Sequence, residues 1–566
     1  MSKYGLKIKN YQAASIYECN NGFRNKYDIT NAMLTNSLFL DFLLENGLNV
    51  WKEESTRDVV CVEFGYGTKS YAEMIKKVTS SRNDGNEEYI NKLLQSIENN
   101  KDKCISISQK ELRTLFYVNG FDINYPVYNK KGEIKSQETI HYKMLYRTPG
   151  KAKKGTCMFI NEKLYDVAHD FLYMGIKLSD KKAPIVQMGA YSSLITSTIV
   201  GRVQIKPEQI LVLKDVDCEF KTNVVEIRTD EQKHCVTNRA NNYTLINTLF
   251  DGQALIDSSI FPEYLDDGEK ADGYILLRHH QTKCAAFNTH IEKFMREHFG
   301  GDYETAVIKD MWGRDVQVKD IKLITTNNAL KWMTFGVSFD YWAEWVRKNN
   351  SMWGIVKTTH ESKFGDVQRM SYQMTNSLNL ATMGNVTEKS VEYINKLKSD
   401  NETFLQYLKD NINFSNDYDV LLALVEHNPD FIRSDYFRDR KRKIIEAYVL
   451  NFKSGRCIQN ADNLTIVGSP YAMLLHSVGI DVHEDPTFEI ENGTIQCWTE
   501  RFDDGKYLAE FRSPFNSRNN LGYCHNHYHE YFDKYFKLGK LVIAVNMIGT
   551  DWQSRNNGLT KWLSTQ

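Results

Sequence analysis

Apolar residues recur along the chain in two patterns, one typical of helices and one typical of strands. Helical spacing ended by glycine predicts helices over residues 38–47 and 161–175. From about residue 207 the pattern changes to short β-rich runs separated by turn signals, such as 210–216 and 273–278. The other predicted elements are helices at 70–80, 87–99, 290–298, 388–397, 401–411, 438–451 and 530–538, and strands at 222–227, 321–325, 494–499, 506–511 and 540–547.

This order of patterns predicts an α+β protein of several domains. We expect a mixed α/β region over residues 1–205 and a first β-rich domain over 206–345. A helical connector is expected over 346–455, followed by a second β-rich domain over 456–566. No internal repeat is visible in the sequence.

The charge balance and the cysteines limit the class of protein. The 566 residues contain 71 Lys and Arg against 72 Asp and Glu, which excludes a globally basic DNA-coating protein but allows an enzyme with a local positive channel. No apolar stretch is long enough for a membrane span, and the start lacks the apolar core of a signal peptide. The ten cysteines form no C-x-x-C pair, which indicates reduced thiols. We expect a cytoplasmic protein with no membrane partner.

Two basic runs are candidate nucleic-acid contacts. Residues 143–154 (KMLYRTPGKAKK) contain no acid, and clustered cations on a flexible backbone suit phosphate groups, although a solvated loop would look the same. Residues 438–443 (RDRKRK) stack positive charge on a predicted helix, where a solvated helix start is the alternative. The basic residues considered are Lys143, Arg147, Lys151, Lys153, Lys154, Arg438, Arg440, Lys441 and Arg442.

Two further tracts could carry chemistry. Arg278 to Lys283 (RHHQTK) follows a predicted strand, and strand ends commonly face clefts. Lys283 is the stronger candidate there, as a cation for phosphate or a leaving group, while surface or core positions account for the two histidines. The alternating tract at 524–529 (CHNHYH) could form a metal site at a sheet edge, but no second ligand pair at zinc-like spacing exists elsewhere in the sequence.

The order of several segments resembles one family, the single-chain RNA polymerases with two double-psi β-barrels. That group includes the cellular RNA-silencing RNA-dependent RNA polymerases and their phage and bacterial relatives. The similarity covers roughly residues 205–558 and lies in the order of the motifs rather than in any single one. The segments that carry it are 251–259 (DGQALIDSS), 276–288 (LLRHHQTKCAAFN), 321–335 (IKLITTNNALKWMTF), 369–378 (RMSYQMTNSL), 510–522 (EFRSPFNSRNNLG) and 540–558 (KLVIAVNMIGTDWQSRNNG).

The resemblance implies two double-psi β-barrels joined by a helical segment, with the second barrel incomplete. It implies that Lys283 contacts the phosphates of the incoming nucleoside triphosphate (NTP), with Arg278, Lys331 and Arg512 as further phosphate-binding residues. Arg369 and Gln373 fall in the family's Gln-bearing helical stretch and become candidate nucleic-acid contacts. The implied partners are RNA, a DNA or RNA template and NTPs, in a bacterial or phage-infected cell.

The sequence departs from the family at the catalytic loop. The resemblance implies three aspartates in a D-x-D-x-D element that hold Mg²⁺, and no such element occurs in the 566 residues. No catalytic or metal-binding residue is therefore assigned, and Mg²⁺ is expected only for the complete enzyme. We expect this chain to be inactive alone, as one part of a split polymerase whose aspartates lie on a second polypeptide, as a fragment, or as a degenerate relative.

Two alternatives remain from the residues themselves. The chain could be a non-catalytic nucleic-acid-binding protein that uses the basic runs, including a polymerase remnant. It could also be an unrelated metal-dependent enzyme that uses the tract at 524–529. Salt-dependent binding of nucleic acid favours the first alternative, and bound zinc or iron favours the second.

Overall fold

The chain is an α+β protein with three large β-sheets and a helical segment between the second and third. The computed structural model describes residues 5–51, 54–80, 87–129, 131, 134–147, 156–177, 185–365, 367–371, 380–413, 416–488, 495–511 and 521–546. Across these ranges, no helix is both long and apolar enough to cross a lipid bilayer.

The N-terminal part is a six-stranded mixed sheet, in the order β2-β1-β3-β6-β5-β4, with helices around it. Its strands are Leu6–Gln12 (β1), Ile29–Leu34 (β2), Val59–Glu63 (β3), Phe121–Tyr128 (β4), Ile134–Tyr146 (β5) and Cys157–Asn161 (β6). Its helices are Ala13–Asn20 (α1), Leu38–Glu45 (α2), Tyr71–Ser80 (α3), Glu87–Asn99 (α4), Gln109–Asn119 (α5), Glu162–Tyr173 (α6) and Ile185–Ser192 (α7). The helix predicted over 161–175 is confirmed as α6. The Asn161 side chain caps its start, and Met174 ends it in the left-handed conformation.

The second part is a seven-stranded sheet in the order β7-β17-β12-β13-β11-β16-β8. The strands of this part are Gly201–Gln204 (β7), Ile210–Leu213 (β8), Asp217–Thr229 (β9), Cys235–Thr248 (β10), Gln253–Asp257 (β11), Tyr274–His279 (β12), Thr282–Thr289 (β13), Val307–Lys309 (β14), Asp315–Gln317 (β15), Leu323–Thr326 (β16) and Met352–Thr358 (β17). β9 with β10 and β14 with β15 form separate hairpins. The predicted short helix at 290–298 is confirmed as Ile291–Phe299 (α8), and Phe339–Lys348 forms α9.

A helical segment and a five-stranded sheet complete the described chain. The helical segment contains Gln368–Ser371 (β18), which pairs with Arg456–Gln459 (β19), and the helices Leu380–Ser399 (α10), Asn401–Asp410 (α11), Tyr418–His427 (α12) and Asp435–Lys453 (α13). The sheet has the order β20-β24-β21-β23-β22. Its elements are Thr465–Gly468 (β20), Pro470–Ser477 (α14), Ile495–Trp498 (β21), Tyr507–Phe511 (β22), Leu521–Asn526 (β23), Glu530–Tyr535 (α15) and Val542–Val545 (β24).

The same five-strand arrangement occurs twice, although the sequence shows no repeat. In chain order the strands are β8, β11, β12, β13 and β16 in the second sheet and β20 to β24 in the third. In each set the first strand is parallel to the fifth, the fifth antiparallel to the second, the second parallel to the fourth, and the fourth antiparallel to the third. A helix follows the fourth strand in both sets, α8 in one and α15 in the other. The five-strand set of the second sheet and the third sheet are therefore topological copies.

The two copies pack directly on each other. The Gln253 side chain donates to the Gly468 carbonyl at 3.0 Å and accepts from the Gly468 N–H at 2.9 Å. Glu297 on α8 accepts from the Tyr535 hydroxyl at 2.6 Å and lies 2.7 Å from the Lys534 ammonium, both on α15. One buried apolar core contains residues of both sheets, so the copies form one packed unit.

Asp257 at the end of β11 fixes the start of α8. Its carboxylate accepts from the Ser259 and Glu292 N–H groups, each at 3.0 Å, and lies 3.4 Å from the Lys322 ammonium. Burial acts to raise the pKa of Asp257, but the hydrogen bond from the Ser259 hydroxyl, the two N–H hydrogen bonds and the Lys322 charge outweigh burial and lower the pKa. The ionised carboxylate is therefore the form that the fold stabilises.

We expect Asp257→Ala to lower the free energy of unfolding by about 2 kcal/mol at neutral pH, because buried N–H groups lose their acceptor. The contribution is complete above the unfolded pKa of about 3.9 and is lost as the pH falls through the lower folded pKa. Urea unfolding at neutral pH measures the loss of stability, and urea unfolding below pH about 3 measures how much of that loss remains. Exposed Asp320→Ala is the control, and an equal loss in the two variants at neutral pH would contradict this role.

Candidate functional site

Three of the predicted phosphate-binding residues come together in the second sheet. Arg278 on β12 and Lys283 on β13 are directly opposite in the antiparallel register, so their side chains share one face of the hairpin. The Lys331 N–H donates to the Gln281 carbonyl at 2.9 Å, which places the segment after β16 against the same hairpin. We call Arg278, Lys283 and Lys331 the cationic cluster.

The cationic cluster holds more positive than negative charge. Burial lowers the pKa of Lys283, and the nearby charges of Lys331 and Arg278 lower it further, with Asp251 opposing them. The Lys331 ammonium lies 3.9 Å from the Asp251 carboxylate, whereas no ion pair of Lys283 is found within the described ranges. Like charges on residues directly opposite each other in two strands destabilise a hairpin. A bound anion relieves this repulsion, so the arrangement is typical of a site for an anion.

A buried carboxylate holds the Lys331 segment in place. Asp215, just after β8, accepts from the Phe250 N–H at 2.9 Å, the Asn328 amide at 2.7 Å and the Thr326 hydroxyl at 3.2 Å. Burial raises the pKa of Asp215, and these hydrogen bonds oppose the rise. Because its oxygens are occupied by these donors, Asp215 acts as a positioning residue for the loop that carries Lys331.

The two histidines between Arg278 and Lys283 are core residues. His279 and His280 are fully buried, and the His280 ring packs against Phe171 on α6, with ring centroids 4.5 Å apart, and against Trp345 on α9. Burial lowers the pKa of His279 to about 3. The core alternative predicted for these histidines is confirmed, and neither ring is ionised near neutral pH.

The tract at 524–529 alternates inward and outward across β23. Cys524 is buried, while His525 and His527 are partly exposed. No cluster of three His, Cys, Asp or Glu that could hold a metal ion occurs in the part of the chain that the structure describes.

His525 and His527 instead belong to a row of stacked rings that sequence reasoning missed. Tyr523 stacks on Tyr507 at 5.1 Å between centroids, Tyr507 on His525 at 4.8 Å, and His525 lies 6.4 Å from His527, with interplanar angles of 28° or less. Tyr507 and Tyr523 are 55% and 63% exposed. We call these four residues the aromatic ladder. Exposed stacked rings are the surfaces on which unpaired nucleobases stack in single-strand-binding proteins.

The first basic run is described only at its start. Lys143 lies on β5, 2.7 Å from the Glu162 carboxylate of α6, so the assumption that this run is uncompensated is wrong at Lys143. The acid comes from a different element and cannot be found by reading along the run. Arg147 is exposed at the end of the described segment. Lys151, Lys153 and Lys154 lie outside the described residues.

The second basic run lies on α13, where it divides between two sides. Arg440 pairs with Asp417 at the start of α12, while Lys441 donates to the Asn401 side chain at 2.8 Å and lies over the Phe404 ring. Arg438 and Arg442 form intrahelical pairs with Asp435 and Asp439, at 3.6 and 2.6 Å. The expectation that this run stacks positive charge on the helix is therefore corrected for Arg438, Arg440 and Arg442, which pair with acids.

Of the three remaining predicted residues, Arg369 lies in the part of the chain that the structure describes. Arg369 lies on β18, with its guanidinium 5.7 Å from the centre of the Tyr448 ring, so the helical stretch implied for 369–378 is wrong at its start. The first residues of that segment form a strand because they pair with β19. Gln373 and Arg512 lie outside the described residues.

Comparisons with known proteins do not assign the chain to a family. No protein-family model matches it, and no curated protein matches it.

Proposed function

We propose that this chain is part of a template-directed RNA polymerase and that the cationic cluster binds the phosphates of an NTP. The observation that carries the proposal is the juxtaposition of Arg278, Lys283 and Lys331, with Asp251 as the opposing charge that acts on Lys283 and Lys331. Three neighbouring cations suit a polyphosphate, because each can donate to a different phosphate oxygen. The resemblance noted in the sequence gives the same three residues this role.

The repeated sheet supports the same proposal. A two-barrel polymerase needs two related barrels that pack together, joined along the chain by a helical segment. The two five-strand copies, their shared core and the intervening helices α10 to α13 agree with that plan. We propose that both copies belong to double-psi β-barrels.

The catalytic carboxylates are proposed to come from elsewhere. Mg²⁺ bound to a polymerase activates the attacking hydroxyl and stabilises the leaving pyrophosphate. The described residues provide no carboxylate cluster for it, and no D-x-D-x-D element occurs in the sequence. The proposal therefore assigns these 566 residues the binding of nucleotide phosphates and nucleic acid, and leaves the metal site to aspartates outside them, on a second polypeptide or in a longer form of this chain.

Equilibrium binding of ATP, ADP, AMP and adenosine tests the proposal on the chain itself. Because the cationic cluster recognises phosphate charge, affinity should rise from adenosine to AMP to ATP and should fall with added salt. Equal affinity for all four ligands, or no binding of ATP, would remove the basis for a phosphate site.

A non-catalytic nucleic-acid-binding protein is the second candidate function. The aromatic ladder favours it, because stacking on unpaired bases requires neither a metal nor a second polypeptide.

We expect the double variant Tyr507→Ala with Tyr523→Ala to weaken binding of a single-stranded oligouridylate by about tenfold or more, since each stacked base contributes roughly 1–3 kcal/mol. Fluorescence anisotropy measures the affinity. The double variant with phenylalanine at both positions keeps the rings and should bind normally. Tyr264→Ala, at an exposed tyrosine outside the ladder, should also bind normally. An oligomer of the sugar–phosphate backbone without bases is the ligand control. If the alanine variant weakens binding of this oligomer as much as binding of the oligouridylate, stacking is refuted.

A further inference from the structure

A large groove follows helix α13, on a surface that the proposed function does not use. Its volume is about 1090 Å³. Lining residues recur along α13 from Phe437 to Lys453 at intervals of three to four residues, so one face of the helix forms its wall. That span corresponds to about 24 Å at the helical rise per residue. The groove is therefore long enough to take more than four turns of a second helix laid along α13.

The floor of the groove is aliphatic. Ile445 and Val449 lie one turn apart on α13 and both line the groove, as does Leu450. Leu450 is 65% exposed, although it is a large apolar side chain. Residues spaced by four form ridges, and the ridges of a neighbouring helix pack into the grooves between them. An apolar helix face would remove this leucine from water.

Cationic side chains outnumber acidic ones among the described residues that line the groove. Glu446 is the single acidic residue among the described residues that line it. The six cationic lining residues are Lys398, Arg433, Arg438, Lys441, Arg442 and Lys453. Several of them already pair with acids within one turn, as Arg438 does with the fully exposed Asp435. Exposed pairs of this kind contribute little to stability, so carboxylates of a partner can replace their acids at little cost.

Nucleic acid fits this groove less well than a helix does. Unpaired bases are bound by exposed aromatic rings, and the one ring that lines the groove, among the described residues, is that of Phe437, which is 1% exposed. An aliphatic floor with a basic rim instead complements an amphipathic helix, which binds in grooves through apolar residues at helical spacing.

We propose that the groove along α13 binds an acidic amphipathic α-helix of a protein partner. The apolar face of that helix lies on Ile445, Val449 and Leu450, and its carboxylates face Arg438, Arg442 and the neighbouring cations. This partner site goes beyond the proposed polymerase function and does not depend on it.

The test uses a synthetic labelled peptide of about 18 residues, five helical turns, with leucine at helical spacing and glutamate elsewhere. Binding to the full chain is followed by anisotropy, and helix formation by circular dichroism. A peptide of the same composition in shuffled order is the first control, because it keeps the charge and loses the apolar face. An oligouridylate is the third probe. We expect the patterned peptide to bind saturably at the groove and to gain helicity. We expect neither the shuffled peptide nor the oligouridylate to bind there.

Matched variants locate the binding. We expect Arg438→Glu with Arg442→Glu to weaken peptide binding by about tenfold, and Leu450→Asp to do the same. Lys443→Glu is the charge control, since Lys443 lies on α13 outside the groove, and Val420→Asp is the control for an exposed apolar residue on α12. Each control should change affinity by less than about twofold.

Three outcomes overturn the proposal. The first is equal or absent binding of both peptides. The second is an equal loss of affinity in the controls and the groove variants. The third is tighter binding of the oligouridylate that is lost in the arginine variants and unaffected by Leu450→Asp, which would assign the groove to nucleic acid.

Discussion

Replacement of Lys283 by alanine is expected to weaken ATP binding by about tenfold or more, since a hydrogen bond to a charged group contributes roughly 1.5–3 kcal/mol. Within the described residues, Lys283 makes fewer hydrogen bonds and ion pairs to other protein groups than Arg278 or Lys331 does. Lys331 donates to the Asn328 carbonyl and approaches Asp251, and Arg278 donates to the Leu277 carbonyl at 2.8 Å. Isothermal titration of ATP measures the loss, and the effect should shrink for AMP because fewer phosphate charges are available.

The same substitution should not destabilise the fold. Burial and the charges of Lys331 and Arg278 lower the pKa of Lys283, so the charged form is disfavoured by folding, and stability rises as the pH rises through the lowered pKa. Removing the ammonium removes this repulsion, and the melting temperature should stay the same or increase. A fall in both affinity and melting temperature would instead indicate a structural lysine.

Two controls complete this experiment. Lys283→Arg keeps the charge and should retain most of the ATP affinity. Lys309→Ala removes an exposed lysine that pairs with Asp315 in the separate β14–β15 hairpin, and should leave ATP binding unchanged. Similar losses in Lys283→Ala and Lys309→Ala would show that net charge, rather than the cationic cluster, governs binding.

The second large effect is expected for Gly273→Ala, which should lower the free energy of unfolding by about 3 kcal/mol or more. Gly273 precedes β12 with φ +67°, and a Cβ atom there would lie 1.8 Å from the Leu538 carbonyl oxygen, a backbone atom that follows α15. The Gly273 carbonyl also accepts from the Asn288 N–H at 2.9 Å. The methyl group can be accommodated only if the two sheet copies separate at this point.

Gly268→Ala is a matched control for that substitution. Gly268 has φ +82° and open space around the position of a Cβ atom, so it carries the conformational cost of alanine at positive φ, about 1 kcal/mol, without the clash. Urea unfolding followed by tryptophan fluorescence and by far-ultraviolet circular dichroism compares the two. Equal midpoints for both variants would contradict close packing between the copies.

Local patterns predicted much of the fold and part of the site. Helix α6 was predictable because its cap, apolar face and stop lie within the same short segment. Arg278 and Lys283 were predictable as neighbours for a similar reason, because a two-residue turn joins their strands. Lys331 entered through the family resemblance alone, and it reaches the cationic cluster because β16 pairs with β11, whose parallel neighbour is β13.

Features made by distant segments were missed. The aromatic ladder needs Tyr507 opposite His525 across the β22–β23 pairing, and nothing in either segment alone specifies that register. The repeated sheet was invisible because the copies share strand order and direction, which constrain the alternation of apolar residues but not their identity. Compensation of Lys143 by Glu162 likewise depends on how α6 lies against β5.

The buried tip of the β12–β13 hairpin has a consequence for synthesis on the ribosome. Phe171, which packs against the His280 ring, is translated before the hairpin, whereas Trp345 and Trp342, whose indole N–H donates to the His280 carbonyl at 3.0 Å, are translated after it. Until α9 has emerged from the ribosome, one side of this polar tip therefore remains in water. Completion of the second sheet must wait for α9 and for β17, which follows α9 in the chain. A pause in elongation just before residue 339 would therefore leave one side of this tip uncovered and the sheet without β17.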